Sequence, residues 1–92
     1  MVPVHPGRIL KRELEIREIS ANKLALALRV PSGRVTSILN GKRAITPETA
    51  LRLSRYFGNS AQFWMNLQTR YDITVAEREL GKRINSEVGS AA

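Results

Sequence analysis

The sequence predicts an all-α domain of five helices. Three observations lead to it. No Val/Ile/Thr-rich alternating stretch is long enough to build a sheet. The apolar residues instead recur at i, i+3, i+4 and i+7, the period of a helix with one buried face. Ser, Thr, Pro and Gly punctuate the chain where helix caps and stops would fall. With 92 residues, the chain is long enough for one domain.

The first helix spans about residues 7–17, with Pro6 near its start and Ile9, Leu10 and Leu14 facing inward. His5, beside Pro6, is a structural start to that helix. Ser20 caps a second helix, in which Ala21, Leu24, Ala25 and Leu28 form one buried stripe. Pro31 biases Val30 away from helical backbone, so this helix ends near Leu28 or Arg29. Ser32 is the expected cap of a short third helix with Val35, Ile38 and Leu39 inward. Gly41 stops it after Asn40. Thr46-Pro47-Glu48 starts a fourth: a cap, a proline in the first turn, and an acid on the positive helix end. Ala50, Leu53 and Phe57 share its inner face, and Gly58 ends it. Ser60 caps a fifth, carrying Phe63, Trp64, Leu67 and Tyr71 and running to about Leu80. From Gly81 the chain turns polar and small (GKRINSEVGSAA), which predicts a frayed tail over 81–92.

Charge narrows the function. The formal net charge is +7, and residues 1–45 hold nine Lys and Arg against three Glu. A basic half beside a near-neutral half suits a polyanion partner. A merely soluble basic surface is the plainer alternative. The absence of cysteine excludes disulfides, Cys-ligated zinc and thiol catalysis, and a lone His excludes a His-cluster metal site. No carboxylate pair or nucleophile–base spacing points to an enzyme, and no cofactor is expected. The longest apolar run, LALAL at 24–28, is far too short to span a membrane, and the start lacks a signal-peptide core. The expected setting is a soluble cytoplasmic protein.

Residues 21–40 then hold two short helices joined by a tight turn, with the small Ala25 where they would cross. That spacing fits a DNA-reading helix-turn-helix. A plain helical hairpin fits it too. The stretch VPSGRVTSILNGKR, from Val30 to Arg43, resembles the helix-turn-helix of phage-repressor-like (XRE/Cro) regulators. More narrowly, HPGRIL at 5–10, NGKRAIT at 40–46, ALRLSRYFG at 50–58 and FWMNLQTRYD at 63–72 resemble the HigA antitoxins. The likeness covers about residues 5–80. It implies a five-helix homodimer that represses its own operon at a palindromic double-stranded DNA operator. It also implies a partner, a HigB-type toxin that cleaves mRNA on the ribosome. Two positions depart from the superfamily pattern. Arg29 stands where the turn often has glycine, and Ala21 where a phosphate-binding glutamine is common.

On the third helix the outward residues are Ser32, Gly33, Thr36 and Ser37, and the resemblance implies that Ser32, Gly33 and Ser37 stand at positions where superfamily members touch base edges. Small residues let the helix sit deep in the groove, and hydroxyls can bond base edges. Arg34, at the flank, can fork onto a guanine or hold a phosphate, and the flank position favours phosphate. Asn40, Lys42 and Arg43 follow the helix and suit phosphate oxygens. Lys23, Arg8, Lys11 and Arg12 can extend the field. Trp64, Leu67 and Tyr71 are the expected dimerisation residues, whereas Phe63 is expected in the core. Leu26 and Ala27 lie opposite the buried stripe of helix two. The leading reading is an autorepressing antitoxin; a stand-alone repressor without a toxin is the alternative, and a helical adaptor a more distant one.

Overall fold

The start of each helix follows from a local cap. The computed structural model describes residues 1–91, and among them five helices form: α1 (Pro6–Arg17), α2 (Ala21–Leu28), α3 (Ser32–Leu39), α4 (Pro47–Phe57) and α5 (Ala61–Glu87). The hydroxyls of Ser20, Thr46 and Ser60 accept the backbone N–H three residues on, at 3.1, 3.4 and 3.0 Å. His5 caps α1 by accepting the Gly7 N–H on Nδ1 at 2.9 Å. Each cap satisfies an N–H that the helix itself leaves unpaired. The third helix is different. Pro31 is its N-cap and makes no side-chain bond, while Ser32 is its first helical residue. Ser32 is therefore not the cap that the sequence suggests.

The core is one cluster. Leu10 and Leu14 of α1, Leu24, Ala25 and Leu28 of α2, Val35 and Ile38 of α3, and Ala50 and Leu53 of α4 are all buried, with Ile45 and Trp64. Trp64 has no exposed surface, and its Nε1–H donates to Asn59 Oδ1 at 2.9 Å, so even its polar atom is satisfied inside. That overturns its assignment to a dimer contact, because a second copy cannot reach it. Its neighbour Phe63 is 42% exposed, so the core role expected for Phe63 fails as well. One residue step turns a helix by about 100°, and the two rings exchange places relative to the expectation. Leu67 and Tyr71 are half-buried, and Tyr71 sets its ring edge-on to His5 at 4.9 Å.

The fifth helix runs past Leu80 to Glu87, so residues 81–87 are helix and not frayed tail. Gly81 weakens it by about 1 kcal/mol. Good helix formers on either side and an Arg83–Glu87 pair at 3.1 Å, one turn apart, support it. Ala92, the end of the expected tail, lies outside the described residues. At ~1.5 Å per residue α5 is about 40 Å long, and it sets the long dimension of a body measuring 49 × 22 × 22 Å. Beyond Tyr71 half-buried Val75 keeps the inner face, but a second apolar row begins on the other side. Ile73, Leu80 and Ile84 are 52%, 41% and 47% exposed and line up on the face turned away from Trp64 and Gln68. Among the described residues no helix is long and apolar enough to cross a membrane.

Candidate nucleic-acid interface

The third helix is held from three sides. Val35 and Ile38 press into the core, and Ala25 is 2% exposed where α2 meets α3. From α1, Gly7 lies so close that a Cβ there would collide with the Ile38 carbonyl. The α2–α3 turn is made by Arg29 in left-handed backbone, φ 58°. A side chain there costs about 1–2 kcal/mol that glycine avoids, and the surrounding bonds hold it. The Arg29 N–H donates to the Leu26 carbonyl at 3.2 Å and the Val30 N–H to the Ala25 carbonyl at 3.0 Å.

What α3 turns outward is small. Ser32, Gly33 and Thr36 are exposed and Ser37 is half-buried. Thr36 is exposed and donates its hydroxyl hydrogen to the Ser32 carbonyl at 3.1 Å, which leaves the oxygen able to accept a further bond. With the cap at Pro31, the Ser32 hydroxyl has no capping duty. A Cβ built at Gly33 would meet nothing within 4 Å. Neither packing nor a positive φ demands that glycine. It weakens the helix by about 1 kcal/mol and leaves bare backbone on the outer face.

The loop after α3 is braced rather than loose. Gly41, φ 74°, turns the chain, and the N–H groups of Gly41 and Lys42 return to the carbonyls of Ile38 and Ser37 at 3.0 and 2.9 Å. Ile45 is 1% exposed, and its N–H donates to Gln68 Oε1 on α5 at 2.8 Å. The Gln68 amide in turn donates to Asp72 at 2.9 Å. The His5 ring lies beside Gly41. Burial lowers the His5 pKa, while the Arg43 backbone and the charge of Asp72 act in the opposite direction. On this frame the side chains of Asn40, Lys42 and Arg43 stand exposed. Three flexible polar groups on a fixed backbone suit phosphate oxygens.

Arg34 is unlike these. Its side chain is only 21% exposed, and Nη1 donates to Glu48 Oε1 at 3.2 Å. The other oxygen of Glu48 takes Nε and Nη2 of Arg52, both at 3.1 Å. The last nitrogen of Arg52, Nη1, donates to the Leu28 carbonyl at the end of α2, at 3.0 Å. One chain of charge-assisted bonds thus joins α2, α3 and α4. The Arg52 hydrogen bond, then the charge of Arg34, hold the Glu48 carboxyl below its usual pKa.

The structure thus gathers the eight DNA-contact candidates on α3 and the loop that follows it. Of the expected dimerisation residues, Trp64 is core, and Tyr71 lies against His5, which flanks the loop at Gly41. Sequence reasoning missed Glu48, Arg52 and Gln68. Glu48 served there only as a helix-start acid. Gln68 carried a usable signal: a polar residue four after Trp64 shares its inward face. Among the described residues there is no group of three or more His, Asp or Glu placed to hold a metal ion.

Comparison with known proteins fits this geometry. Residues 10–64 match the family described as Helix-turn-helix. An addiction module antidote protein of the HigA family from Coxiella burnetii is 52% identical and superposes with a TM-score of 0.95, over 98% of this chain and 99% of that one. The Pseudomonas aeruginosa antitoxin HigA, solved with the higBA promoter, is 43% identical with a TM-score of 0.96, over 99% and 100% of the two chains. Virulence-associated protein I of Dichelobacter nodosus is 49% identical over 80 residues, which are 86% of this chain and 74% of that protein. This chain belongs to the helix-turn-helix family of XRE/Cro type, among the HigA antitoxins.

Proposed function

We propose that this chain is the DNA-binding antitoxin of a toxin–antitoxin pair, which represses its own operon as a homodimer and neutralises a HigB-type mRNA endonuclease. The observation that carries the DNA half is the outer face of α3. Exposed Ser32, Gly33 and Thr36, with half-buried Ser37 beside them, present hydroxyls, a methyl and bare backbone. Exposed Asn40, Lys42 and Arg43 stand beside them on a braced loop. Such a face enters a major groove closely while the flanking cations take phosphates. The toxin half rests on family membership and on the relatives that bear the name antitoxin.

A single reading helix buries too little surface for tight specific binding. A second copy remedies this by placing another α3 about one DNA turn, ~34 Å, away on a palindromic site. The exposed stripe Ile73, Leu80 and Ile84 suits that pairing better than the expected Trp64. Operator binding of this kind puts the protein in the cytoplasm, with the DNA it regulates. The test is a footprint on the DNA upstream of its own gene, with and without the product of the neighbouring reading frame. Protection of a palindrome, together with rescue of cells from that product, is the expected result. Protection without any toxic neighbour would make the chain a stand-alone repressor.

A further inference from the structure

We infer that Arg34, buttressed by Glu48, reads a guanine in each half of the operator rather than holding a phosphate. The inference rests on the DNA-binding reading above and names the base that the site recognises. Arg34 and Ser37 are three residues apart on α3, hence neighbours on its surface. Arg34 belongs to the network that runs from Leu28 through Arg52 and Glu48. All three nitrogens of Arg52 are engaged, on Glu48 or on the Leu28 carbonyl, so Arg52 holds the carboxylate in place. Glu48 in turn accepts from one nitrogen of the Arg34 guanidinium, Nη1, at 3.2 Å and draws it toward α4.

Two physical arguments select a base edge as the target. The first is charge. Glu48 already engages this guanidinium, and a phosphate on its remaining donors would lie on the order of 6 Å from that carboxylate, whose charge Arg52 offsets only in part, inside the ~8–10 Å over which salt screens. Guanine O6 and N7 are neutral acceptors and meet no such penalty. The second is orientation. A phosphate accepts a mobile cation from many directions, as the exposed Lys42 and Arg43 can provide. A bidentate contact to O6 and N7 needs the planar fork held in one attitude. A carboxylate fixed by a second arginine supplies that attitude. The flank position of Arg34 is no obstacle, because its side chain reaches further than those of Ser37 and Thr36.

The test starts from sites that the wild-type protein enriches from a random DNA pool. Affinities are then measured for that site, for single base-pair changes in it, and for unrelated DNA. Wild type should enrich a guanine in each half-site. Arg34→Lys should lose that preference by about ten- to a hundredfold, while its affinity for unrelated DNA holds. Glu48→Ala removes a negative charge, so it should tighten binding to unrelated DNA and still lose the preference for guanine at the same position. Circular dichroism verifies that both variants fold. If Glu48→Ala tightened all sequences alike and Arg34→Lys changed none, Arg34 would be a phosphate ligand and the inference would fall, with the helix-turn-helix reading intact. Enrichment of a site without guanine would overturn it equally. Enrichment of no site would overturn the DNA-binding reading and this inference together.

Discussion

A methyl group added at Gly33 would point into open space, whereas one added at Gly7 would strike the Ile38 carbonyl. The two glycines therefore predict opposite outcomes. Gly33→Ala should raise stability by about 0.5–1 kcal/mol, because alanine favours helix, and should weaken operator binding by filling the gap between α3 and the bases. Gly7→Ala should cost about 1–3 kcal/mol by forcing α1 off α3. Thermal melts and an operator titration of both variants check the pair. His5 gives a pH prediction. Its Nδ1 must be neutral to accept the Gly7 N–H, and burial lowers its pKa in the folded state from the ordinary 6.5. A depressed folded value means that the stabilisation is complete above about 6.5 and is lost as pH falls below it toward the folded value. The midpoint of thermal unfolding should therefore drop between pH 7.5 and 5.5. His5→Asn, which can cap without titrating, should flatten that drop.

At the scale of the element, α5 shows what was legible in the sequence and what was not. Ser60 fixed its start, as Ser20 and the Thr46-Pro47-Glu48 run fixed those of α2 and α4, because a cap is a local interaction among adjacent residues. Its faces could not be read the same way. Trp64 and Gln68 point to the core, whereas Ile73, Leu80 and Ile84 point away from it, so no single stripe runs its length. A periodicity argument assumes one buried face per helix, and a helix with a different face at each end defeats it. The third helix was legible in Val35 and Ile38 but not at its cap, where Pro31 supplies conformation without a hydrogen bond. The Arg34–Glu48–Arg52 chain joins residues up to 24 apart through Leu28, beyond any local pattern. The two ends of α5 should separate experimentally. Trp64→Ala should lower stability by about 3–5 kcal/mol. Ile84→Asp should keep helicity yet give a monomer in sedimentation, with weaker operator affinity. A folded dimer with Ile84→Asp would place the pairing surface elsewhere.

For the whole molecule, the net charge of +7 sits mostly in the half that carries α3 and the loop after it. Two protomers on a duplex would make about 6–10 phosphate contacts and release the corresponding counterions. Operator affinity should then fall on the order of 10³–10⁵-fold between 50 and 200 mM salt. Lys42→Ala should lower the slope by about one per protomer and weaken all sequences alike. Binding that ignored salt would remove the electrostatic basis of the interface.

The bond from the Ile45 N–H to Gln68 ties the loop beside the reading helix to the helix that would join two copies. In heavy water that amide becomes a clock. The amides of Arg43 and Ala44, in the exposed part of the loop, should trade their hydrogens through small local fluctuations. The buried Ile45 amide should exchange more slowly, at a rate set by release of its bond to Gln68 and opening of the core around it. Deuterium uptake at this one position, measured against dilution and with Gln68→Ala, would report whether the loop loses its brace when α5 loses its partner.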